Sequence, residues 1–197
     1  MQSLWLKKCD WHDKLDLDTC KAIEDWIGDL KVIERMSFPR CLSYNHDQSV
    51  DTEIHIFVDA SEDAYAAVAY QRSISNTGNN TSVLICSKTK VAPLEAISIP
   101  RLELLGAELG SEVGSKLMKD LHVKIDNVFY WTDSNDVLGW ISNRSKLFKP
   151  FVAHRISKIH QNSSIGNWKK ISSKLNIADI ATRGKKAAEL SNISQRS

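Results

Sequence analysis

The chain has 197 residues, of which 42% are hydrophobic, a size and composition that suit one domain with a short additional segment. No run of about 18 apolar residues occurs, so we expect no membrane span, and the early lysines are unlike a signal peptide. The four cysteines lack CxxC spacing, which is typical of reduced thiols in an intracellular protein, cytoplasmic or nuclear.

The net charge of +2 is distributed unevenly along the chain. The net charge is −2 over residues 1–50, −4 over residues 51–120 and +8 over residues 121–197. An acidic middle beside a basic final part indicates a site that binds cations next to a surface that binds anions. A basic face that is only solvated explains the same charges, and on charge alone this simpler interpretation is favoured.

The first 45 residues predict one helix. Asp18 and Thr19 can cap its start, because side-chain oxygens at that position accept from free backbone N–H groups. A polar linker is predicted at residues 46–52. The apolar residues behind the cap recur at helical spacing, and they are Cys20, Ile23, Trp26, Ile27 and Leu30.

Three short apolar runs follow, at residues 54–58, 65–70 and 83–86. Turn residues separate the first two runs, and a polar loop over residues 73–82 precedes the third. The pattern predicts an antiparallel meander of three strands.

A long helix is predicted over residues 100–120, because proline fits the first helical turn. Gly106, Gly110 and Gly114 lie four residues apart on one stripe of this helix. Since glycine costs about 1 kcal/mol in a helix interior, their repetition predicts that the helix approaches a sheet closely.

Residues 128–132 predict a fourth strand, which ends at Asp133 and is followed by a helix behind Ser134 and Asn135. A strand, a long helix and a second strand form a crossover connection, so this strand pairs in parallel with an earlier one. The remaining elements are a basic, partly helical stretch at residues 143–160, a fifth strand at residues 168–171 and a last helix from Asn176 to Gly184.

Four acids occupy distinctive places: Asp59 after the first strand, Glu103 on the packed face of the long helix, Asp133 after the fourth strand and Asp179 in the last helix. Each alone has an ordinary explanation as a turn or helix-dipole residue. The ends of the first and fourth strands can lie side by side in a mixed sheet, and converging carboxylates need a cation. Mg²⁺ suits an all-oxygen cluster, and two such ions about 4 Å apart can promote hydrolysis of a phosphodiester.

Four motifs contain these acids: IFVDAS at residues 56–61, SIPRLEL at 98–104, YWTDS at 130–134 and NIADIATRG at 176–184. Together they resemble the ribonuclease H region of BEL/Pao-type LTR retrotransposon polyproteins. The resemblance covers about residues 1–184, and residues 5–42 are similar to the connecting segment that follows the reverse transcriptase in that family.

The resemblance implies an α/β fold with a ribonuclease H-like mixed five-stranded sheet, an antiparallel meander plus parallel strands, flanked by helices. It also implies that Asp59, Glu103, Asp133 and Asp179 are the catalytic, metal-binding carboxylates, which hold two Mg²⁺ or Mn²⁺ ions. The implied partners are an RNA–DNA hybrid and the reverse transcriptase part of the same polyprotein.

The family is sometimes grouped under a Pao peptidase name. Aspartic proteolysis needs Asp-Thr/Ser-Gly loops, whereas this chain has Asp59-Ala60-Ser61 and Asp133-Ser134-Asn135. The sequence therefore does not predict a protease.

Basic residues from 144 to 160 alternate with Phe148 and Phe151, and the candidates for nucleic-acid binding are Lys149, Arg155 and Lys158. These cations can grip the phosphates of an RNA–DNA duplex. A solvated helix face with two core aromatics explains the pattern equally well.

We therefore predict a helical connecting segment at residues 1–45, a ribonuclease H-like domain at 52–184 and a disordered tail at 185–197. The leading function is metal-dependent endonucleolytic cleavage of RNA in RNA–DNA hybrids. The alternative is a catalytically silent retrotransposon-derived remnant that binds nucleic acid or protein.

Overall fold

The fold is known from a computed structural model, which describes residues 4, 7–35, 37, 51–74, 80–121, 127–143, 147–187 and 189. Its contacts divide the chain into two units. The first contains Met1–Pro39, Pro93–Ala96 and Lys185–Ser197, and the second contains Arg40–Ala92 and Ile97–Gly184. The domain bounds given above stay a prediction.

The first unit contains helix α1, Leu17–Ile33. The helix begins behind Asp16, whose carboxylate accepts a hydrogen bond of 2.8 Å from the Thr19 backbone N–H, so the predicted cap at Asp18 and Thr19 is wrong. This backbone hydrogen bond lowers the pKa of Asp16 to about 2. None of the residues of α1 is buried, and Trp26 is 58% exposed.

The second unit is built on one five-stranded sheet, in the order β3-β2-β1-β4-β5. β1 pairs antiparallel with β2, and β2 pairs antiparallel with β3, whereas β4 lies parallel to both β1 and β5. The predicted mixed sheet, a meander joined to parallel strands, is thus confirmed. The strands are β1 Asp51–Ala60, β2 Ala64–Ile74, β3 Asn80–Val91, β4 Val128–Thr132 and β5 Trp168–Lys170.

The first three strands are longer than predicted. The β1–β2 register runs without a break from the pair Asp51 and Ile74 to the pair Ala60 and Tyr65. Backbone N–H and C=O groups pair whatever the side chains are, so the polar ends of each apolar run continue the ladder. The predicted linker at 46–52 and loop at 73–82 therefore extend too far into the strands, while residues 46–50 and 75–79 lie outside the described residues.

The described residues of the second unit form four α-helices: α2 Ile99–Leu121, α3 Asn135–Ser142, α4 Pro150–Asn162 and α5 Asp179–Arg183. The long helix and the helix behind Ser134 lie where the sequence predicts them, whereas the last helix begins at Asp179 rather than at Asn176. In the part of the chain that the structure describes, helices of the length and apolarity needed to cross a membrane are absent.

The glycine stripe of α2 lies directly against the sheet. A Cβ atom at Gly106 would lie 2.9 Å from the Asp59 carbonyl oxygen, and one at Gly110 would lie closer still to Cγ1 of Val58. These distances are shorter than real Cβ contacts, so larger residues would push the helix away. The predicted close approach is confirmed, and it holds the start of α2 beside the end of β1.

Candidate active site

Asp59 is the acid that the fold holds most firmly. It is the second-last residue of strand β1 and is only 9% exposed. The Thr182 hydroxyl donates a hydrogen bond of 2.5 Å to its Oδ2 atom. The Asn176 amide donates to the Val58 carbonyl at 3.0 Å and lies 3.5 Å from Oδ1 of Asp59. Strand β1 and the segment around α5 therefore meet at this carboxylate.

Burial is the largest influence on Asp59, and it raises the pKa of the carboxyl above its ordinary value. The Thr182 hydrogen bond acts in the opposite direction, because it stabilises the charged form. The negative charges of Asp133 and Asp179 raise the pKa further, and the positive charge of Arg183 lowers it. Asp59 is thus a carboxyl group whose ionised form is disfavoured without a cation.

Glu103 lies in the second turn of α2 and is half-buried. Burial raises its pKa most, and the charges of Asp133, Asp59 and Asp136 add to this effect. A hydrogen bond from the Ser134 hydroxyl, at the N-cap of α3, lowers it. A favourable interaction with the helix dipole alone would lower the pKa of an acid. The raised pKa of Glu103 instead indicates a partly buried side chain close to other acids.

The other two acids, Asp133 and Asp179, are also partly exposed. Asp133 directly follows β4, and its backbone carbonyl accepts a hydrogen bond from the Lys170 ammonium of β5. Asp179 opens α5 and forms an ion pair of 2.5 Å with Nε of Arg183, one turn later. This exposed ion pair is a weak interaction, because water screens both groups.

The four predicted acids interact electrostatically, but their carboxylates do not form one close cluster among the described residues. Asp59 interacts with Asp133 and Asp179, and Glu103 interacts with Asp59 and Asp133. Among the described residues, which include all four acids, no group of three or more His, Cys, Asp or Glu side chains is spaced to hold a metal ion. The donor set itself fits a hard divalent cation, since it is all carboxylate oxygen and its mutual repulsion would be relieved by positive charge.

The chain matches the sequence model of a protein family described as the Pao retrotransposon-like RNaseH-like domain, over residues 1–134. The chain belongs to this family. The matched part of the Pao retrotransposon-like domain contains Asp59, Glu103 and Asp133, whereas Asp179 lies beyond it. The predicted family and the predicted ribonuclease H-like fold class are both confirmed.

Solved structures with a similar fold include three ribonucleases H. The N-terminal RNase H domain of Rv2228c from Mycobacterium tuberculosis is 11% identical, with a TM-score of 0.44, over 74% of this chain and 98% of that one. RNase H1 of Halobacterium salinarum is 10% identical, with a TM-score of 0.39, over 64% of this chain and 88% of that one. LC11-RNase H1, solved in complex with an RNA/DNA hybrid, is 14% identical, with a TM-score of 0.45, over 71% of this chain and 99% of that one. No match was found among curated proteins.

Two of the three predicted nucleic-acid contacts in the Pao-type domain are engaged within the fold. Lys158 Nζ lies 2.5 Å from Oε1 of Glu108, and Arg155 Nε lies 3.4 Å from Oε2 of the same carboxylate. The Arg155 guanidinium also lies 3.6 Å from the ring centre of Phe151. Because Glu108 is only 9% exposed, these cations dock α4 onto α2.

Lys149 is different, because it is exposed at the N-cap of α4 and its side chain makes no capping hydrogen bond. Among the described residues its ammonium forms no ion pair, so it is available to contact an anionic ligand. Arg144 and Lys146 lie outside the described residues.

The sequence predicts no role in the site for four polar residues that hold the acids directly or through Thr182, namely Ser61, Ser134, Asn176 and Thr182. Asn176 and Thr182 belong to the motif at residues 176–184, in which a role was assigned to Asp179 alone. Their partners lie 117 to 123 residues away, so local spacing carries no signal for these contacts.

Proposed function

We propose that this domain is a metal-dependent endonuclease that cleaves the RNA strand of RNA–DNA hybrids, as part of a retrotransposon polyprotein. One observation carries the proposal: in a chain of the Pao retrotransposon-like RNaseH-like family, the buried Asp59 at the end of β1 and Glu103 of α2 lie within electrostatic reach of each other and of Asp133. Buried, mutually repelling carboxylates cost folding free energy, and a site for a cation gives them a function.

In this proposal Asp59, Glu103, Asp133 and Asp179 hold two Mg²⁺ or Mn²⁺ ions. Held by these four carboxylates, the ions would supply Lewis-acid activation of a water and charge stabilisation of the leaving oxygen. Each carboxylate contributes negative charge and oxygen donors, and the burial of Asp59 places its carboxylate where water screens the charge less.

The surface around the acids carries the positive charge that a nucleic-acid substrate needs. Lys170 reaches the carbonyl of Asp133, and Arg183 pairs with Asp179. In this proposal Lys149, Arg155 and Lys158 contact phosphates, with Lys149 the most available of the three. The proposed protein partner is the reverse transcriptase part of the same polyprotein.

Incubation of the purified chain with a labelled RNA–DNA hybrid tests the proposal. We expect cleavage of the RNA strand alone, with 3′-hydroxyl ends, in Mg²⁺ and not in EDTA. Asp59→Asn should abolish cleavage with an unchanged circular dichroism spectrum. Asp51→Asn is the matched control, because it makes the same change at the exposed opposite end of β1 and should keep full activity. Equal cutting of double-stranded DNA, or full activity in EDTA, would refute the proposal.

The alternative function is a catalytically silent remnant that binds nucleic acid or protein. It is favoured by the spacing of the four acids, which among the described residues do not form a group able to hold a metal ion. The same assay separates the two functions. A silent remnant binds the hybrid with a normal affinity but leaves it intact in both Mg²⁺ and Mn²⁺.

A further inference from the structure

We infer that Thr182 is a positioning residue, which fixes the Asp59 carboxylate and ties it to the helix of Asp179 so that the two acids can share a metal site. The inference rests on the proposed function. It assigns a role to a side chain that itself touches neither the substrate nor the metal.

The Thr182 hydroxyl bridges two of the four acids. Its oxygen lies 2.5 Å from Oδ2 of Asp59 and 3.1 Å from the backbone carbonyl of Asp179. A hydroxyl has one proton to donate, and the shorter contact to a charged acceptor is the stronger hydrogen bond. The proton therefore goes to Asp59, and the orientation of that carboxylate is set by a residue three positions after Asp179.

The backbone of Thr182 is held as well. The Ser61 hydroxyl donates a hydrogen bond of 2.8 Å to the Thr182 carbonyl, and Ser61 lies two residues after Asp59. Two hydrogen bonds thus join the IFVDAS and NIADIATRG motifs in opposite directions, one through a side chain and one through the main chain. Thr182 is 2% exposed, so solvent does not compete with either bond.

This arrangement explains why a carboxylate at the end of a strand keeps a single orientation. Residues that hydrogen-bond to metal ligands fix their geometry, and their loss usually lowers metal affinity or activity by about 10–100-fold. Thr182 leaves the other lone pairs of Asp59 available, since each carboxylate oxygen accepts more than one contact.

The test compares Mg²⁺ binding, measured by titration calorimetry and by the shift in melting temperature, in the parent and three variants of the full chain. Thr182→Val keeps the shape and removes the donor, and we expect it to weaken Mg²⁺ binding by about 10-fold or more. Thr182→Ser restores the hydroxyl and should bind Mg²⁺ nearly as well as the parent. Ser163→Ala is the matched control, because it removes another buried hydroxyl, which accepts from Trp168, and should leave Mg²⁺ binding unchanged even if it melts earlier.

Hybrid cleavage provides a second readout. Because Thr182 acts through Asp59, Thr182→Val should lower kcat and leave KM for the hybrid unchanged. Mg²⁺ binding and kcat equal to those of the parent in Thr182→Val would overturn the inference while leaving the proposed function intact. A parent chain that neither binds Mg²⁺ nor cleaves the hybrid would overturn both. If Thr182→Val does not fold, Thr182→Ala removes the same donor with less bulk and is judged against Thr182→Ser in the same way.

Discussion

Replacing Gly106 by alanine should destabilise the domain, although the same change stabilises most helices. Alanine gains about 1 kcal/mol over glycine in a helix interior. At Gly106, however, the new Cβ atom would lie 2.9 Å from the carbonyl oxygen of Asp59, where ordinary contact begins at 3.4 Å. The neighbour is backbone in a paired strand, so the helix must move by about 0.5 Å, and overpacking of this kind costs about 1–3 kcal/mol. The net loss is up to about 2 kcal/mol.

Gly139→Ala is the matched control. Gly139 lies in α3 with nothing within 4 Å of the Cβ position, so the helix propensity acts alone. We expect this variant to melt about 2–4 °C above the parent and Gly106→Ala to melt below it by up to about 4–8 °C, at roughly 2–4 °C for each kcal/mol. Differential scanning calorimetry in EDTA measures both. Hybrid cleavage should fall only in Gly106→Ala, because only that variant displaces Asp59. If both alanines raised the melting temperature, the close approach of α2 to β1 would not constrain position 106.

Three further predictions concern charge. Asp133→Asn removes a charge that raises the pKa of Asp59 and of Glu103, so in EDTA the variant should melt at or above the parent's temperature. The variant should also lose most of the stabilisation that Mg²⁺ gives the parent, which is about 2.7 kcal/mol at 100 times the dissociation constant. A destabilised variant with an unaltered Mg²⁺ response would contradict this prediction. The pKa values of Asp59 and Glu103 are raised on folding, so their contribution to the metal-free stability is full below the ordinary pKa values of 3.8 and 4.5 and is lost as the pH rises through the raised values. Urea unfolding at a series of pH values should show this loss of stability in the parent and a smaller loss in Asp59→Asn. Parallel plots of stability against pH for the two proteins would refute the prediction. Lys149→Ala should make the salt dependence of hybrid binding shallower by about 1 unit of log K per log salt and leave the melting temperature unchanged. Arg155→Ala should lower the melting temperature, because its side chain pairs with Glu108. An unchanged salt dependence in Lys149→Ala would show that Lys149 does not contact phosphates.

Much of the fold follows from local sequence patterns, because alternation and helical spacing act over a few residues. The bounds of β4 and the capping of α3 by Ser134 are of this kind. The glycine stripe also predicts its own cause, since repeated glycine in a helix has few explanations other than close packing. The ends of β1 and β2 are not predictable in this way, because their polar residues are strand only through their pairing with each other.

The candidate site likewise contains features that local sequence patterns predict and features that they do not. The positions of Asp59, Glu103 and Asp133 can be read from the ends and faces of their elements, but the partners of these acids cannot. Whether a basic residue faces solvent or a buried acid depends on which helix packs beside it. Lys158 looks like a free cation in the sequence, and it becomes a structural one only because Glu108, 50 residues earlier, faces it across α2 and α4.

The hydrogen bond between Thr182 and Asp59 also orders events during synthesis of the chain. The two residues are 123 positions apart, and at about 5–20 residues per second a ribosome needs roughly 6 to 25 s to travel between them. For most of that interval β1 and β2 can pair, because β2 ends at Ile74, while Asp59 has neither its hydroxyl donor nor Asp179 beside it. A nascent chain of this domain can therefore pair β1, β2 and β3 well before its four-acid set is complete, and the proposed nuclease activity begins only once the segment that carries α5 has left the ribosome.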